Sequence, residues 1–360
     1  MSRSSEPVVT LDDVGVEFSD RSLMQTLRRK KAEVVRAVDG VSLDIHENEV
    51  IVLVGESGCG KTTLGKTAVG LQRPSDGSVR YRGQDIWDAK DGSGDVDIPF
   101  ADIRRSLQII HQDPGSSLNP NRTILSSLSV PLKKWYPNLS VDDREERIYK
   151  LLDYVGMKPA SSYASRYPHQ LSGGEQQRVA LGRALLMNPD VILADEAVSA
   201  LDVSLRIEMM DLMHDLQREV NTSYLFISHD LANAYYFAEK VGGRIGIMYL
   251  GNLVEIGDAE EIIRNPKHPY TKILRWATPV MDPDAAKEGA KELPMRKIDI
   301  PDPKHPPSGC RFHTRCPKAR EVCTTQVPQL TPADESGRSD VACFRSERNH
   351  EYWNSEPLPE

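Results

Sequence analysis

The sequence predicts an α/β fold built on a parallel, doubly wound sheet, and three observations predict it. "EVIVLVG" (49–55), "DVILADE" (190–196) and "SYLFISHD" (223–230) each hold a nearly all-apolar run, the pattern of strands buried on both faces. Between the second and third, Met209, Leu212, Met213 and Leu216 fall on one helical face, a stripe assigned to the core. The first run leads straight into glycines and then a helix pattern, and strands alternating with helices give parallel sheets.

Taken in order, "VVTLDDVGVEF" and "AVDGVSLDI" read as strands separated by a charged loop, and "GSVRYRG" to about Ile86 as short strands with glycine turns. Together they predict a small antiparallel β portion. "DAKDGSGDVDIP" reads as a polar loop. From about 120 to 187 helical patterns dominate, as in "DREERIYKLLDYVGM", where Ile148, Leu151, Leu152 and Val155 repeat at i, i+3, i+4, i+7. This is a helical insert. After about 265 prolines multiply and periodicity fades, predicting a separate, irregular appendage.

The 360 residues allow two or three domains. With a net charge of -8 and basic residues scattered except at Arg28–Lys31, no nucleic-acid-binding face is expected. That basic run reads as a solvated loop, with contact to an anionic membrane as the alternative. No apolar run approaches the roughly 18 residues that cross a bilayer, and the N-terminus lacks a signal-peptide core, so a cytoplasmic chain is expected. Four of the five cysteines, Cys310, Cys316, Cys323 and Cys343, lie near the C-terminus, so they call for a local explanation.

"GESGCGKTT" comprises Gly55, Glu56, Ser57, Gly58, Cys59, Gly60, Lys61, Thr62 and Thr63 and fits G-x-x-x-x-G-K-[ST] between strand and helix. Its glycines let backbone N–H groups surround phosphates, Lys61 adds a point charge at the β/γ oxygens, and Thr62 offers a hydroxyl to Mg²⁺. Cys59 reads as a small packing residue. Asp195 and Glu196 end a buried strand where open α/β sheets bind ligands. Asp195 is expected to hold Mg²⁺ directly or through a bound water, and Glu196 to polarise the attacking water. His229 ends the next strand within reach of a γ-phosphate. Gln112, just before a Asp-Pro pair, is placed to reach the magnesium or the water.

"LSGGEQQRVALGRAL" (171–185) opens with Ser172, Gly173 and Gly174 and then reads as helix, which presents bare N–H groups to an anion. It has no lysine or threonine of its own for a phosphate and its metal. From its residues alone it is a half-equipped phosphate site.

In order and rough spacing, these motifs with "HQDP", "SALD" and "ISHD" resemble the nucleotide-binding subunit of an ATP-binding cassette (ABC) transporter over about residues 8 to 260. The resemblance implies a P-loop NTPase (RecA-like) core, ATP and Mg²⁺ as ligands, and two subunits packed head to tail. Ser172, Gly173 and Gly174 then cap the nucleotide held by the other subunit, and Asp202 links the two sites. Phe18 stands where the family stacks an aromatic on adenine, with a core phenylalanine as the alternative. The chain departs from the family with Glu175 where glutamine is usual, and with Ala197 and Val198 where Pro-Thr or Pro-Val is common, which puts the stiffness of that loop in doubt.

"HQDPGSSLNPNRTI", "NPKHPYTKIL" and "GCRFHTRCP" are similar to ATPase subunits of oligopeptide/dipeptide importers. That likeness implies a second ATPase subunit, a paralogue in preference to a copy of this chain, two permeases and an extracytoplasmic solute-binding protein, with this chain on the cytoplasmic face of the membrane. Oligosaccharides or nickel are alternative solutes, and an exporter subunit or a non-transport cassette ATPase of DNA repair or ribosome function are competing classes. It sets domains at 1–265 (helical subdomain about 115–187) and 266–360. The spacing C-x5-C-x6-C-x19-C leaves iron–sulfur, zinc and unligated or disulfide-bonded cysteines open; the resemblance favours a structural [4Fe-4S] cluster, with Zn²⁺ as the alternative.

Overall fold

The computed structural model describes residues 6–19, 34–278 and 295–358. The basic run at Arg28–Lys31 and the insertion at 20–32 lie outside them. In chain order the strands are β1 (Val9–Ser19), β2 (Val34–Ile45), β3 (Val50–Val54), β4 (Asp76–Tyr81), β5 (Gln84–Asp85), β6 (Leu107–Ile110), β7 (Val191–Asp195), β8 (Ser223–Ser228), β9 (Arg244–Tyr249), β10 (Asn252–Asp258), β11 (Thr331–Pro332) and β12 (Ser339–Val341). They form an antiparallel sheet, β2-β1-β4-β5, and a larger one, β11-β12-β10-β9-β3-β8-β7-β6. Within the larger sheet β9, β3, β8, β7 and β6 run parallel, with helical crossovers such as Val203–Val220 between β7 and β8.

The three apolar runs are its central strands, buried at every position. Alternate residues point to opposite faces, so each strand feeds two cores. Val52, Ile192, Ala194, Tyr224 and Phe226 join the helical side, while Ile51, Leu53, Leu193, Leu225 and Ile227 join the side covered by the antiparallel sheet and helix Lys61–Ala68. Fully burying such a side chain contributes roughly 1.5–3 kcal/mol. This double burial makes the strand ends a rigid shelf for the loops that follow them.

The helical insert is present as helices Ile124–Trp135, Val141–Tyr154 and Gly173–Leu185 with shorter turns between them. Thr123 and Ser140 cap the first two by accepting N–H groups of Ser126 and Asp143. Ile148, Leu152 and Val155 are fully buried, as their spacing predicts. The methionine stripe is core as well.

Two stretches depart from expectation. "DAKD" is the last four residues of a helix, Ile86–Asp91, started by the Asp85 carboxylate accepting from the N–H groups of Trp87 (2.7 Å) and Asp88 (3.1 Å). The region after 265 is largely irregular, but it is continuous with the core: β12 pairs with β10 (Glu255 opposite Val341) and β11 with β12. Strands of two or three residues leave no periodicity to read.

Candidate nucleotide site

The phosphate loop leaves β3 at Gly55 and enters helix Lys61–Ala68. Its glycines are required by the chain's own backbone. A Cβ on Gly55 would fall 2.2 Å from the Met248 carbonyl oxygen, and one on Gly60, at φ +105°, would fall 2.2 Å from that of Ala37. Lys61 is buried, its ammonium donating to the carbonyls of Gly55 (2.8 Å) and Glu56 (3.0 Å). Ser57 and Gly58 are exposed at the rim, and Thr63 gives its carbonyl to the Thr67 hydroxyl (2.8 Å). The Cys59 side chain is buried, which pushes its thiol pKa up and suits a packing role.

The Thr62 hydroxyl donates to Asp195 Oδ1 at 2.8 Å, joining helix and β7 at one point. This hydroxyl–carboxylate pair is an all-oxygen donor set of the kind Mg²⁺ takes. Asp195 is still in the strand, but Glu196 has φ +49°, and that left-handed residue breaks the strand's alternation and brings the adjacent carboxylate to the same end. Such a conformation costs about 1–3 kcal/mol and persists only when its surroundings fix it. Here the Glu196 N–H donates to the Ile227 carbonyl (3.2 Å), and the Glu196 carbonyl accepts from the Ser199 N–H (3.0 Å) and hydroxyl (2.8 Å). Ala197 and Val198 are buried, so the loop is anchored without the usual proline.

Two further groups meet the Glu196 carboxylate. Gln112 donates to Oε2 at 3.3 Å, and His229 Nδ1 lies 3.4 Å from the same oxygen. Glu196, Gln112 and His229 therefore form one cluster beside the Thr62–Asp195 pair.

Ser172 and Glu175 form a capping box at the head of helix Gly173–Leu185. The Ser172 hydroxyl accepts the Glu175 N–H (3.3 Å), and Glu175 Oε2 accepts the Ser172 N–H (2.7 Å). Although burial pushes the other way, these bonds hold the Glu175 carboxyl below its ordinary range. Ser172 and Gly173 are exposed, and a Cβ on Gly173 would meet nothing within 4 Å. Asp202 caps helix Val203–Val220 by accepting the Leu205 N–H (3.0 Å). Phe18, near the end of β1, is 45 % exposed and so is not a core residue.

The extension reaches this site, which the sequence does not disclose. Arg315 makes a bidentate ion pair with the Glu56 carboxylate (2.9 and 3.0 Å), and the Tyr270 hydroxyl accepts the Glu56 N–H (3.0 Å). The signal was a charged residue inside the phosphate loop and an arginine inside "GCRFHTRCP"; nothing in the spacing joins them.

The four C-terminal cysteines are free thiols that line one small cavity with Phe312, Phe344 and Tyr352. Burial pushes Cys316 up to about 12 and Cys343 to about 11, and raises Cys310 and Cys323 as well. Among the described residues, no three His, Cys, Asp or Glu side chains converge on a single ion position. The thiols are spread around the cavity rather than gathered at a point.

Residues 38–199 match the protein family described as ABC transporter, and residues 254–323 match the oligopeptide/dipeptide transporter C-terminal region. The oligopeptide transport ATP-binding protein AppF of Bacillus subtilis is 40% identical over 342 residues, covering 94% of this chain and 98% of that one. OppF of Salmonella typhimurium, an oligopeptide transport ATP-binding protein, is 40% identical over 313 residues (87% and 89%). The di/tripeptide transport ATP-binding protein DppF of Pseudomonas aeruginosa is 40% identical over 316 residues (87% and 91%). Among solved structures, the ATP-binding cassette MJ0796, a dimer in a post-hydrolysis state with ADP and Pi, is similar at TM-score 0.57 and 28% identity, covering 70% of this chain and 98% of that one.

Proposed function

The chain belongs to the ATP-binding subunits of ABC transporters, and from that premise we propose that it energises the uptake of oligopeptides or dipeptides. It is an ATPase with a P-loop α/β core. The observation that supports the specific reading best is the C-terminal region: residues 254–323 match a family described by peptide transport, and this region is built into the sheet and onto the phosphate loop.

The residues divide the chemistry as follows. Lys61 exchanges its bonds to the Gly55 and Glu56 carbonyls for the β/γ-phosphate oxygens, and the loop N–H groups hold the remaining charge. Phe18 offers an exposed ring to adenine. Thr62, Asp195 and Gln112 are the groups that would hold Mg²⁺, which would supply positive charge against the phosphates. Glu196 orients and polarises the attacking water, held in place by Gln112 and His229, and His229 reaches the γ-phosphate. Ser172, Gly173 and Gly174 complete the site of a second ATPase subunit, a paralogue, and Asp202 links the two sites. In support, Gly173 is exposed and nothing in its own chain requires it to be glycine.

We divide the chain into a nucleotide-binding domain at 1–265 and an extension at 266–360. No helix among the described residues is long and apolar enough to cross a membrane. The likeness to peptide-transport ATP-binding proteins supports a chain working peripherally, at the cytoplasmic face, against two permeases served by a solute-binding protein. We assign Cys310, Cys316, Cys323 and Cys343 to a [4Fe-4S] cluster as a structural staple in preference to a single Zn²⁺; in support, the four thiols line one small cavity. Cells lacking the chain should lose uptake of a labelled tripeptide, and the wild-type chain, but not Glu196→Gln, should restore it. Unchanged uptake would refute the peptide reading.

A further inference from the structure

Every polar group of Glu56 is committed. Its N–H goes to the Tyr270 hydroxyl, its carboxylate to both terminal nitrogens of Arg315, and its carbonyl to the Lys61 ammonium. Tyr270 and Arg315 belong to the region after residue 265, and both are buried. The Arg315 guanidinium lies over the rings of Tyr249 (5.7 Å) and Phe312 (5.8 Å), and Tyr270 packs on the same two rings at 4.8 and 5.4 Å. A planar fork held between aromatic faces has little freedom, which favours a bidentate carboxylate pair. Such a buried pair fixes geometry, and removing one member leaves an uncompensated charge. In this case the stranded charge is a carboxylate in the loop that must receive a triphosphate.

We propose that Arg315 is a positioning residue for nucleotide binding: with Tyr270 it fixes Glu56 and so the path of the phosphate-loop backbone, and it cancels the one acidic charge of that loop. Because Arg315 sits between Cys310 and Cys316, the fold of the cysteine-bearing segment sets the affinity of a site far from it in sequence. The proposal rests on the ATPase assignment and adds a determinant of affinity to it.

The test uses the full-length chain, a fluorescent ATP analogue with Mg²⁺, and steady-state hydrolysis. Arg315→Met should weaken binding and raise KM about tenfold, the equivalent of about 1.4 kcal/mol, while kcat at saturating ATP stays within about twofold. Adding Glu56→Gln to Arg315→Met should restore affinity to within about threefold of wild type, because the stranded charge is then gone. A merely architectural arginine predicts no such rescue. Tyr270→Phe, which keeps the ring, should weaken binding about threefold and decides the matter if Arg315→Met does not fold. Unchanged affinity in folded Arg315→Met or in Tyr270→Phe, or failure of the double variant to recover, overturns the proposal. A wild-type chain that binds no nucleotide contradicts the ATPase assignment instead.

Discussion

The phosphate loop and the stretch from Ser172 to Glu175 use the same device, backbone N–H groups at the start of a helix, and they differ in what holds it. Gly55 and Gly60 are glycine because carbonyls of this chain stand 2.2 Å from where a side chain would begin. Gly173 is under no such pressure: it is exposed, its φ is not positive, and a Cβ there meets nothing. The first site is closed and carries its own cation, Lys61; the second is open, and the Ser172–Glu175 box takes up only the N–H groups of those two residues. A glycine that its own chain explains is structural, and one that it does not points to something arriving from outside.

The comparison breaks first at the catalytic end. Glu196→Gln should slow hydrolysis about 10²- to 10⁴-fold while leaving ATP bound, measured by phosphate release beside nucleotide affinity; fast hydrolysis would mean that Glu196 is not the base. Next comes the contrast between the glycines. Gly60→Ala should cost about 1–3 kcal/mol or more in urea unfolding, since both φ +105° and the Ala37 carbonyl oppose it. Gly173→Ala should leave stability within about 0.5 kcal/mol and still depress hydrolysis in the assembled transporter. Equal stability losses would erase the distinction. The smallest effect is at Glu175, where Glu175→Ala removes one half of the box and should cost about 1 kcal/mol. Because the folded carboxyl is held below its ordinary range, this contribution is present at neutral pH and is lost as the pH falls through that lowered value. A flat difference between wild type and variant across the acid range would contradict it.

Much of this was readable in the sequence, for identifiable reasons. A strand buried on both faces must be apolar throughout, so β3, β7 and β8 announced themselves, and Gly-Lys-Thr after a strand has few other uses. What escaped depends on long-range contact or on one backbone angle. Two- and three-residue strands such as β11 and β12 have no periodicity, and the Asp85 cap lay at the end of a stretch that reads as short strands. The positive φ of Glu196 explains how neighbouring carboxylates share a site, which alternation alone argues against. The Arg315–Glu56 pair spans most of the chain, and no local pattern encodes it.

The central claim is that Ser172 to Gly174 serve another molecule. Photolabelling of the assembled transporter with azido-ATP, comparing wild type with Ser172→Arg, tests it most directly. The account predicts that the Ser172→Arg chain still labels at its own phosphate loop while hydrolysis at the partner's site is lost. Loss of label from the Ser172→Arg chain itself, with the partner's hydrolysis intact, would contradict it.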